Sequence, residues 1–284
     1  MQAGFIGLGN LGKAMAGRLI QEGVELIVWN RTPSKAEGLG ARVAKTPADV
    51  ATAAEVIFLN LFDSEAVASI LTKGAGLLGG ECAGRVIIDT TTNHFRGVEQ
   101  FHRLLKESGA SYLEAPVIGS VVPASQGNLT VLVSGEKSTF NSVHPYLKLI
   151  GKNIVFLGAP GLATRMKLIN NFVLASFMAS LAEAIAIAED IGVSREAVLD
   201  ILSVGAGNSV VLAGKRDKLL REDFSPQFSC AAMYKDLKYL ADLSRTMRRP
   251  LATAESVTEL FAKMMERGEG NLDFSAVYKM VREG

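Results

Sequence analysis

Residues 161–191 read GLATRMKLINNFVLASFMASLAEAIAIAEDI, and this stretch divides the chain into two parts of different character. Before it, strand-like and helix-like patterns alternate, and after it only helical patterns occur. The stretch is more than twice as long as an average globular helix, so we expect one helix that joins two domains. The prediction is an α/β domain at 1–160 and, at 161–284, this bridging helix with an all-helical domain. Small residues at helical spacing would let another helix pack closely: Ala175, Ala179, Ala182 and Ala186.

The apolar character of this helix raises the question of a membrane span. Its uncharged run, residues 168–182, is shorter than the roughly 18–20 apolar residues that a bilayer requires. Two asparagines and two serines interrupt the run. We therefore expect a buried helix of a soluble protein, without contact with a membrane.

Composition and charge restrict the kind of protein further. The chain has 284 residues, of which 48% are hydrophobic and 21% charged, which is typical of globular domains. Its 30 basic and 29 acidic residues nearly cancel, and the lack of a long basic run argues against nucleic acid as a partner. The two cysteines and three histidines show no metal-ligand spacing, so no metal is expected. The first residues enter a strand pattern without a secretory signal, which favours a cytoplasmic location.

A glycine-rich motif lies near the start of the chain. Residues 2–6 form an apolar run typical of a buried strand, a helical pattern follows the motif, and residues 25–29 form a second strand pattern. In such a β-α-β unit, G-x-G-x-x-G binds a dinucleotide: Gly7 permits the tight turn, Gly9 lets the backbone approach the pyrophosphate, and Gly12 lets helix pack on strand. The alternative is a tight strand–helix turn without a ligand. The motif consists of Gly7, Leu8, Gly9, Asn10, Leu11 and Gly12.

The residues after the second strand indicate which dinucleotide binds. NAD sites usually carry an acidic residue here for the ribose hydroxyls, whereas this chain has Asn30, Arg31 and Thr32. Arg31 can form charge-assisted bonds with a 2′-phosphate. We therefore expect NADP, with NAD possible if Arg31 is only a surface residue.

Further strand–helix alternation predicts more loops at one edge of a parallel sheet. The loops containing Leu61 and Thr92 follow two of these strands and are candidates to flank the nicotinamide, although the threonines at 90–92 could instead form a hydrogen-bonded turn. The loop with Gly119 and Ser120 offers backbone N–H groups and a hydroxyl for a carboxylate. Thr32-Pro33 and Thr46-Pro47 indicate helix starts. The predicted strands are 56–60, 86–89, 112–114, 129–133 and 154–157.

Lys167 and Asn171 lie near the start of the long helix. They are one turn apart and therefore on the same face, where an ammonium and a carboxamide could hold a small polar ligand. The alternative is a polar first turn of a core helix.

The last third of the chain contains several amphipathic helical patterns. Ser194 is expected to cap one of them. In another, Met233, Leu237 and Leu240 form the apolar stripe, and Lys235 and Asp236 are expected to lie off that stripe. A position on a solvated face, without a ligand, is the alternative for Lys235.

These motifs together resemble the β-hydroxyacid dehydrogenases, which include 3-hydroxyisobutyrate dehydrogenase and the glyoxylate/succinic semialdehyde reductases. The resemblance covers almost the whole chain. It depends on the glycine motif, Asp89-Thr90-Thr91-Thr92, the segment from Ala115 to Thr130, the segment from Gly161 to Asn171, and Lys235-Asp236-Leu237.

The resemblance implies a role for each of these segments. Lys167 is similar to the family's catalytic lysine and Asn171 to its assisting asparagine, and Gly119 and Ser120 match the loop that binds the substrate carboxylate. Thr92 and Lys235 match positions that contact the cofactor, and they are also assigned here to the substrate site. The resemblance further implies NADP(H), a small oxo or hydroxy acid, and a homodimer or homotetramer formed through the helical domain.

The chain also departs from the family pattern. Ser120 and Pro123-Ala124 are similar to the glyoxylate/succinic semialdehyde reductases, which often have lysines where Val121 and Val122 stand. The expected substrate is therefore a short hydroxycarboxylate (3-hydroxyisobutyrate, 4-hydroxybutyrate or glycolate) or its oxo counterpart. An imine reductase and a non-catalytic NADP-binding module are the alternatives. Retention of Lys167 and Asn171 argues against both.

Overall fold

The computed structural model describes residues 1–283. The chain forms two compact units, Met1–Lys167 and a second that begins at Leu168, so the division falls inside the long helix. Each unit has its own hydrophobic core. The expected α/β domain and all-helical domain are both present.

The first unit is built on a nine-stranded sheet in the order β3-β2-β1-β4-β5-β6-β8-β7, with β9 paired to β8. Strands β1 to β6 run parallel, β8 is antiparallel to β6 and β7, and β9 is parallel to β8. The carboxyl ends of β1, β2, β4, β5, β6 and β7 therefore lie at one edge of the sheet. The strands are β1 (Gln2–Ile6), β2 (Glu25–Trp29), β3 (Arg42–Val43), β4 (Val56–Leu59), β5 (Val86–Asp89), β6 (Ser111–Glu114), β7 (Val117–Ile118), β8 (Leu129–Ser134) and β9 (Gly151–Gly158).

Helices cover both faces of this sheet. Neighbouring residues of a buried strand point to opposite faces, so Phe5 belongs to one core and Ile6 to the other. Thr46 caps α2 in a capping box with Asp49, as its Thr-Pro pair predicts. Thr32 makes no cap bond, and a short 3₁₀ helix follows it. The helices are α1 (Asn10–Gln21), α2 (Pro47–Ala53), α3 (Ser64–Thr72), α4 (Phe95–Glu107), α5 (Val121–Ser125) and α6 (Lys137–Ile150), with 3₁₀ helices at Pro33–Ala36 and Leu77–Gly79.

The long helix, α7 (Leu162–Asp190), is continuous over 29 residues. In the second unit Ala175, Met178, Ala182 and Ile185 are fully buried and form the centre of its core. Ser194 caps the next helix, as predicted. The remaining elements are α8 (Arg195–Val204), α9 (Val210–Arg221), α10 (Cys230–Thr246), α11 (Ala252–Glu266), a 3₁₀ helix (Phe274–Ala276) and α12 (Val277–Glu283).

By length and composition alone, α7 is apolar enough to cross a membrane, with a mean hydropathy of 1.7 over its most apolar window. A core helix of a globular protein satisfies the same criterion. Because α7 contributes fully buried residues to the core of the second unit, its apolar character is accounted for on that face by packing.

Candidate functional site

The glycine motif forms a tight loop between β1 and α1. Gly7 has φ +100°, and a Cβ atom there would lie 2.1 Å from the Asn60 carbonyl oxygen. A Cβ atom on Gly12 would lie 2.1 Å from the Gly7 carbonyl oxygen, so α1 packs against the loop too closely for any side chain. By contrast, a Cβ atom on Gly9 would meet no atom within 4 Å. The tight turn at Gly7 and the close helix packing at Gly12 are as the motif predicts, and Gly9 has open space at the position expected to face a pyrophosphate.

The first turn of α1 is suited to an anion. The N-cap residue, Gly9, provides no side-chain cap, and the first turn contains no acidic residue. Helix N-termini present unpaired N–H groups and the positive end of the helix dipole. The residues of this loop therefore fit the pyrophosphate of a dinucleotide.

Asn30 connects the glycine loop to the loop that follows β2. Its Oδ1 accepts a hydrogen bond from the Leu8 N–H at 2.8 Å, and its Nδ2 donates to the Thr32 carbonyl at 2.9 Å. Both ends of the amide thus shape the backbone around the predicted cofactor site. Arg31 and Thr32 are exposed beside this connection.

The loops after β4 and β5 are joined by the threonines. The Thr90 hydroxyl accepts from Asn60 Nδ2 at 2.9 Å, and the Thr91 hydroxyl accepts from the Leu61 N–H at 2.9 Å. These two threonines thus join the loop after β5 to the loop after β4. Thr92 is half-buried at the end of this loop.

A buried carboxylate, that of Asp89 at the end of β5, stabilises the loop that follows this strand. Asp89 accepts hydrogen bonds from the Thr91 N–H, Asn93 Nδ2 and the Tyr112 hydroxyl. Burial raises the pKa of Asp89, although these hydrogen bonds act in the opposite direction. The threonine loop therefore has a fixed shape.

The predicted carboxylate loop follows β7 at the same edge of the sheet. Gly119 has φ +129°, and a Cβ atom there would lie 2.7 Å from the Leu129 side chain, so the position requires glycine. Ser120 is half-buried and precedes the short helix α5 without capping it through its hydroxyl. In the first unit, the glycine loop, the β2, β4 and β5 loops, and Gly119-Ser120 thus all follow strands whose carboxyl ends lie at one edge of the sheet.

Lys167 is the sixth residue of α7 and is only 8% exposed. The beginning of α7 is held at the carboxyl end of β6, because the carboxylate of Glu114, the last residue of β6, accepts hydrogen bonds from the N–H groups of Gly161 and Thr164. The helix that carries Lys167 therefore begins at the same edge of the sheet as the loops described above. Asn171 follows it one turn later on the continuous helix.

In the second unit, Asn171 and Lys235 are connected by Asp236. Asn171 Nδ2 donates to Asp236 Oδ2 at 2.6 Å, and Lys235 Nζ lies 3.0 Å from Asp236 Oδ1. Asn170 Nδ2 donates to Asn171 Oδ1 at 3.1 Å, so the orientation of the Asn171 amide is fixed at both ends. Asn171 and Asp236 are each 1% exposed.

This arrangement corrects one expectation. Asp236 does not lie off the apolar stripe of α10, because it is buried together with Met233, Leu237 and Leu240. The helical spacing contained the signal: Asp236 follows Met233 by three residues and precedes Leu240 by four, which places it on their face. Its carboxylate is tolerated there because it is paired with Asn171 and Lys235.

The parallel sheet and the glycine loop define a dinucleotide-binding protein. A family model described as the NAD binding domain of 6-phosphogluconate dehydrogenase matches residues 2–158. A second, described as NAD-binding of NADP-dependent 3-hydroxyisobutyrate dehydrogenase, matches residues 161–281.

Similar proteins agree with these models. The chain is 33% identical to glyoxylate/succinic semialdehyde reductase 1 of Arabidopsis thaliana over 285 residues, which cover 99% of both chains. Its structure is similar to that of 3-hydroxyisobutyrate dehydrogenase from Mycobacterium tuberculosis with L-serine (TM-score 0.87, 28% identity, 99% of both chains). It is also similar to Psf3 in complex with NADP+ and 2-OPP (TM-score 0.90, 26% identity, 98% of this chain and 99% of the other).

The chain therefore belongs to the β-hydroxyacid dehydrogenase family. It is an NAD(P)-dependent oxidoreductase that acts on CH–OH groups.

Proposed function

We propose that this protein transfers hydride reversibly between NADP(H) and a short hydroxycarboxylate or its oxo acid or semialdehyde. The candidate pairs are glycolate with glyoxylate, 4-hydroxybutyrate with succinic semialdehyde, and 3-hydroxyisobutyrate with its semialdehyde. Similarity to the Arabidopsis reductase supports the first two pairs, and similarity to the 3-hydroxyisobutyrate dehydrogenase supports the third. We further propose that it acts in the cytoplasm.

The observation that carries this proposal is the position of Lys167. It is a buried lysine near the start of α7, and that start is held at the sheet edge that also carries the glycine loop. Burial disfavours the ammonium form of a lysine, so a buried lysine releases its proton more readily than an exposed one. This combination supports a proton donor and acceptor close to the cofactor.

The chemistry requires one proton for each hydride. When bound, the nicotinamide cofactor supplies the hydride in reduction and accepts it in oxidation. In reduction, negative charge develops on the carbonyl oxygen, and Lys167 Nζ donates a proton to it. In oxidation, the neutral Lys167 amine removes the hydroxyl proton. Asn171 would orient the substrate oxygen, since its amide is fixed by Asp236.

The substrate carboxylate is assigned to Gly119 and Ser120. The Ser120 hydroxyl and the backbone N–H groups of this loop would donate hydrogen bonds to the carboxylate. No charged side chain would be needed. Thr92 and Lys235 are the further proposed contacts of substrate and cofactor. A site built for a carboxylate rejects a molecule that lacks it, because the polar groups of the site are then left unpaired.

NADPH oxidation with a panel of substrates tests the proposed reaction. Glyoxylate and succinic semialdehyde should be reduced with much higher kcat/KM than propanal or butanal. Equal reduction of the alkyl aldehydes would refute the carboxylate loop. Reduction of cyclic imines in preference to oxo acids would favour the imine reductase alternative.

Substitution of Lys167 tests its role. Lys167→Met should lower turnover by about 10²- to 10⁴-fold, the usual contribution of a general acid, while NADPH still binds. Lys167→Arg should be similarly slow, since the guanidinium retains its proton. Lys148→Met, at an exposed lysine of α6, makes the same change of charge and should leave turnover unchanged. A Lys167→Met variant with normal turnover would refute the mechanism.

We also propose that the protein self-associates through α7 of the second unit. In the part of α7 that belongs to the second unit, four apolar side chains are 42–62% exposed and fall within an arc of about 80° on the helix surface. Exposed apolar side chains that share one side of a helix often mark an interface, and a second copy would supply an identical surface. The four residues are Ile169, Val173, Phe177 and Ile187.

Light scattering coupled to gel filtration tests this association. The native chain should elute as a dimer or tetramer, and Phe177→Glu should shift it toward the monomer. Met247→Glu changes another exposed apolar residue of the second unit, one that lies outside this arc, and should leave the mass unchanged. A native monomer would refute the proposal.

A further inference from the structure

Glu114 is a buried carboxylate outside the predicted site, and it is 1% exposed at the end of β6. Its Oε1 accepts a hydrogen bond from the Gly161 N–H, and its Oε2 accepts one from the Thr164 N–H at 3.0 Å. His102 Nε2 of α4 lies 3.3 Å from Oε1. Glu114 thus caps the helix that carries Lys167, from a position 47 residues before Gly161 in the chain.

The carboxyl group of Glu114 is held in its ionised form. Burial alone would raise the pKa of Glu114, but hydrogen bonds from His102, Gly161 and Thr164 outweigh it and lower that pKa below its ordinary value. A negative charge at a helix N-terminus is stabilised by the helix dipole. The titratable groups that face Glu114 are His102 and Tyr112.

Two other contacts fix the same turn of α7 within the first unit. The Ala163 N–H donates to the Ser134 hydroxyl of β8 at 3.0 Å. Arg165 pairs with Glu99 of α4 at 2.7 Å. Among these contacts, Glu114 alone places a buried charge on the helix end.

We propose that Glu114 is a positioning residue for Lys167, which both fixes the first turn of α7 and sets the proton affinity of the lysine. This inference rests on the proposed function in one respect, namely that the proton affinity of Lys167 matters for catalysis. Lys167 follows Thr164 by three residues, roughly 4.5 Å along the helix axis. Because Glu114 is buried at this end of the helix, solvent screens its charge little.

The direction of the effect follows from the signs of the charges. The carboxylate of Glu114 offsets the positive end of α7 and favours the ammonium form of Lys167. Without this charge, Lys167 would release its proton at a lower pH. The protein would then hold too little of the proton donor at neutral pH, and reduction would slow more than oxidation.

The test is a direct titration of Lys167 in the complex with NADP+. Lysine labelled with ¹³C at Cε reports the protonation of each amine by NMR, and the signal absent from Lys167→Arg identifies Lys167. Glu114→Gln should lower the midpoint by about 0.3–1 pH unit, the range expected for one charge across a partly buried separation. It should also lower kcat for reduction at pH 7 by several-fold while the KM for NADPH stays constant.

Ser134→Ala is the matched control, because it removes a neutral anchor of the same helical turn. It should destabilise the fold without moving the midpoint. Glu114→Asp retains the charge but moves it away from the helix by one methylene group, so it should lower the midpoint by less than Glu114→Gln does. It is the variant to measure if Glu114→Gln does not fold. A midpoint that is unchanged in the Glu114 variants would overturn the proposal.

The titration does not depend on turnover. A catalytically normal Lys167→Met variant would refute the proposed mechanism, whereas an unmoved midpoint would refute the role of Glu114. The two failures can therefore be distinguished.

Discussion

The glycine loop permits a prediction that separates cofactor binding from folding. Gly9→Ala adds a methyl group where no protein atom lies within 4 Å, at backbone angles (φ −65°, ψ −178°) that alanine adopts readily. The methyl group would therefore collide with nothing in the protein. It would occupy the space that we assign to the pyrophosphate.

The expected effect on stability is small. Alanine at an N-cap position is less favourable than glycine by roughly 0.5–1 kcal/mol. Replacing glycine also restricts the unfolded chain, which stabilises the fold by about 0.4–1 kcal/mol. The two contributions nearly cancel, so the free energy of unfolding should change by less than about 0.5 kcal/mol.

The expected effect on binding is large. Moving the pyrophosphate away from the backbone would weaken charge-assisted hydrogen bonds worth about 1.5–3 kcal/mol, which corresponds to roughly 10- to 150-fold in Kd. NADPH fluorescence titration measures Kd, and urea unfolding without cofactor measures stability.

Gly12→Ala is the contrasting variant. Its methyl group would lie 2.1 Å from the Gly7 carbonyl oxygen, so it should destabilise the fold even without cofactor. A Gly9→Ala protein that binds NADPH with native affinity would show that the pyrophosphate does not lie against Gly9.

Three further predictions concern single side chains. Arg31→Ala should weaken NADPH binding by about 1.5–3 kcal/mol and leave NADH nearly unchanged in parallel titrations; equal losses would mean that Arg31 does not bind the 2′-phosphate. Asp236→Ala should lower kcat about 10- to 100-fold at saturating NADPH, because the Asn171 amide loses the acceptor 2.6 Å away; an unchanged kcat would show that this bond is dispensable. Asp273 pairs with Lys215 at 2.8 Å. Burial alone would raise the pKa of Asp273, but the charge of Lys215 and the hydrogen bonds to Asp273 outweigh burial and lower that pKa. The stabilisation that Asp273 provides is therefore complete at neutral pH and is lost as the pH falls through the lowered pKa. Asp273→Asn should therefore destabilise the protein by about 3 kcal/mol or more at pH 7 and flatten the acid limb of its urea-unfolding profile; an unchanged acid limb would contradict this assignment.

The fold could be predicted because its two decisive signals, the apolar strand runs and the long helical stretch, are patterns within short segments of sequence. The apolar runs at residues 2–6 and 25–29 coincide with β1 and β2, and the stretch 161–191 corresponds to α7 within one residue at each end. The short strands β3 and β7 have only two residues each, too few for a periodic pattern. They form because neighbouring strands offer hydrogen-bonding partners, which a local pattern does not contain.

The supports of the site were harder to predict, because they depend on contacts between distant residues. Glu114 and Thr164 are 50 residues apart in sequence, and Asn171 and Asp236 are 65 apart. A carboxylate inside a strand or on an amphipathic helix usually faces water, and only the folded chain supplies the partners that make its burial tolerable. The roles of Lys167 and Asn171 in the reaction stay predictions until the variants are measured.

The amide of Asn30 has a consequence for attempts to change the proposed NADP preference of this enzyme to NAD. The common design introduces an acidic residue at the end of the second strand to bind the ribose hydroxyls. Aspartate at position 30 could still accept from the Leu8 N–H, but it could not donate to the Thr32 carbonyl, so the engineered residue would loosen the loop that it was meant to use. Arg31 and Thr32 are exposed, and their side chains can be exchanged without removing this connection. The proposed determinant of nucleotide preference and the determinant of loop shape thus lie at adjacent but separable positions, and redesign should begin at Arg31.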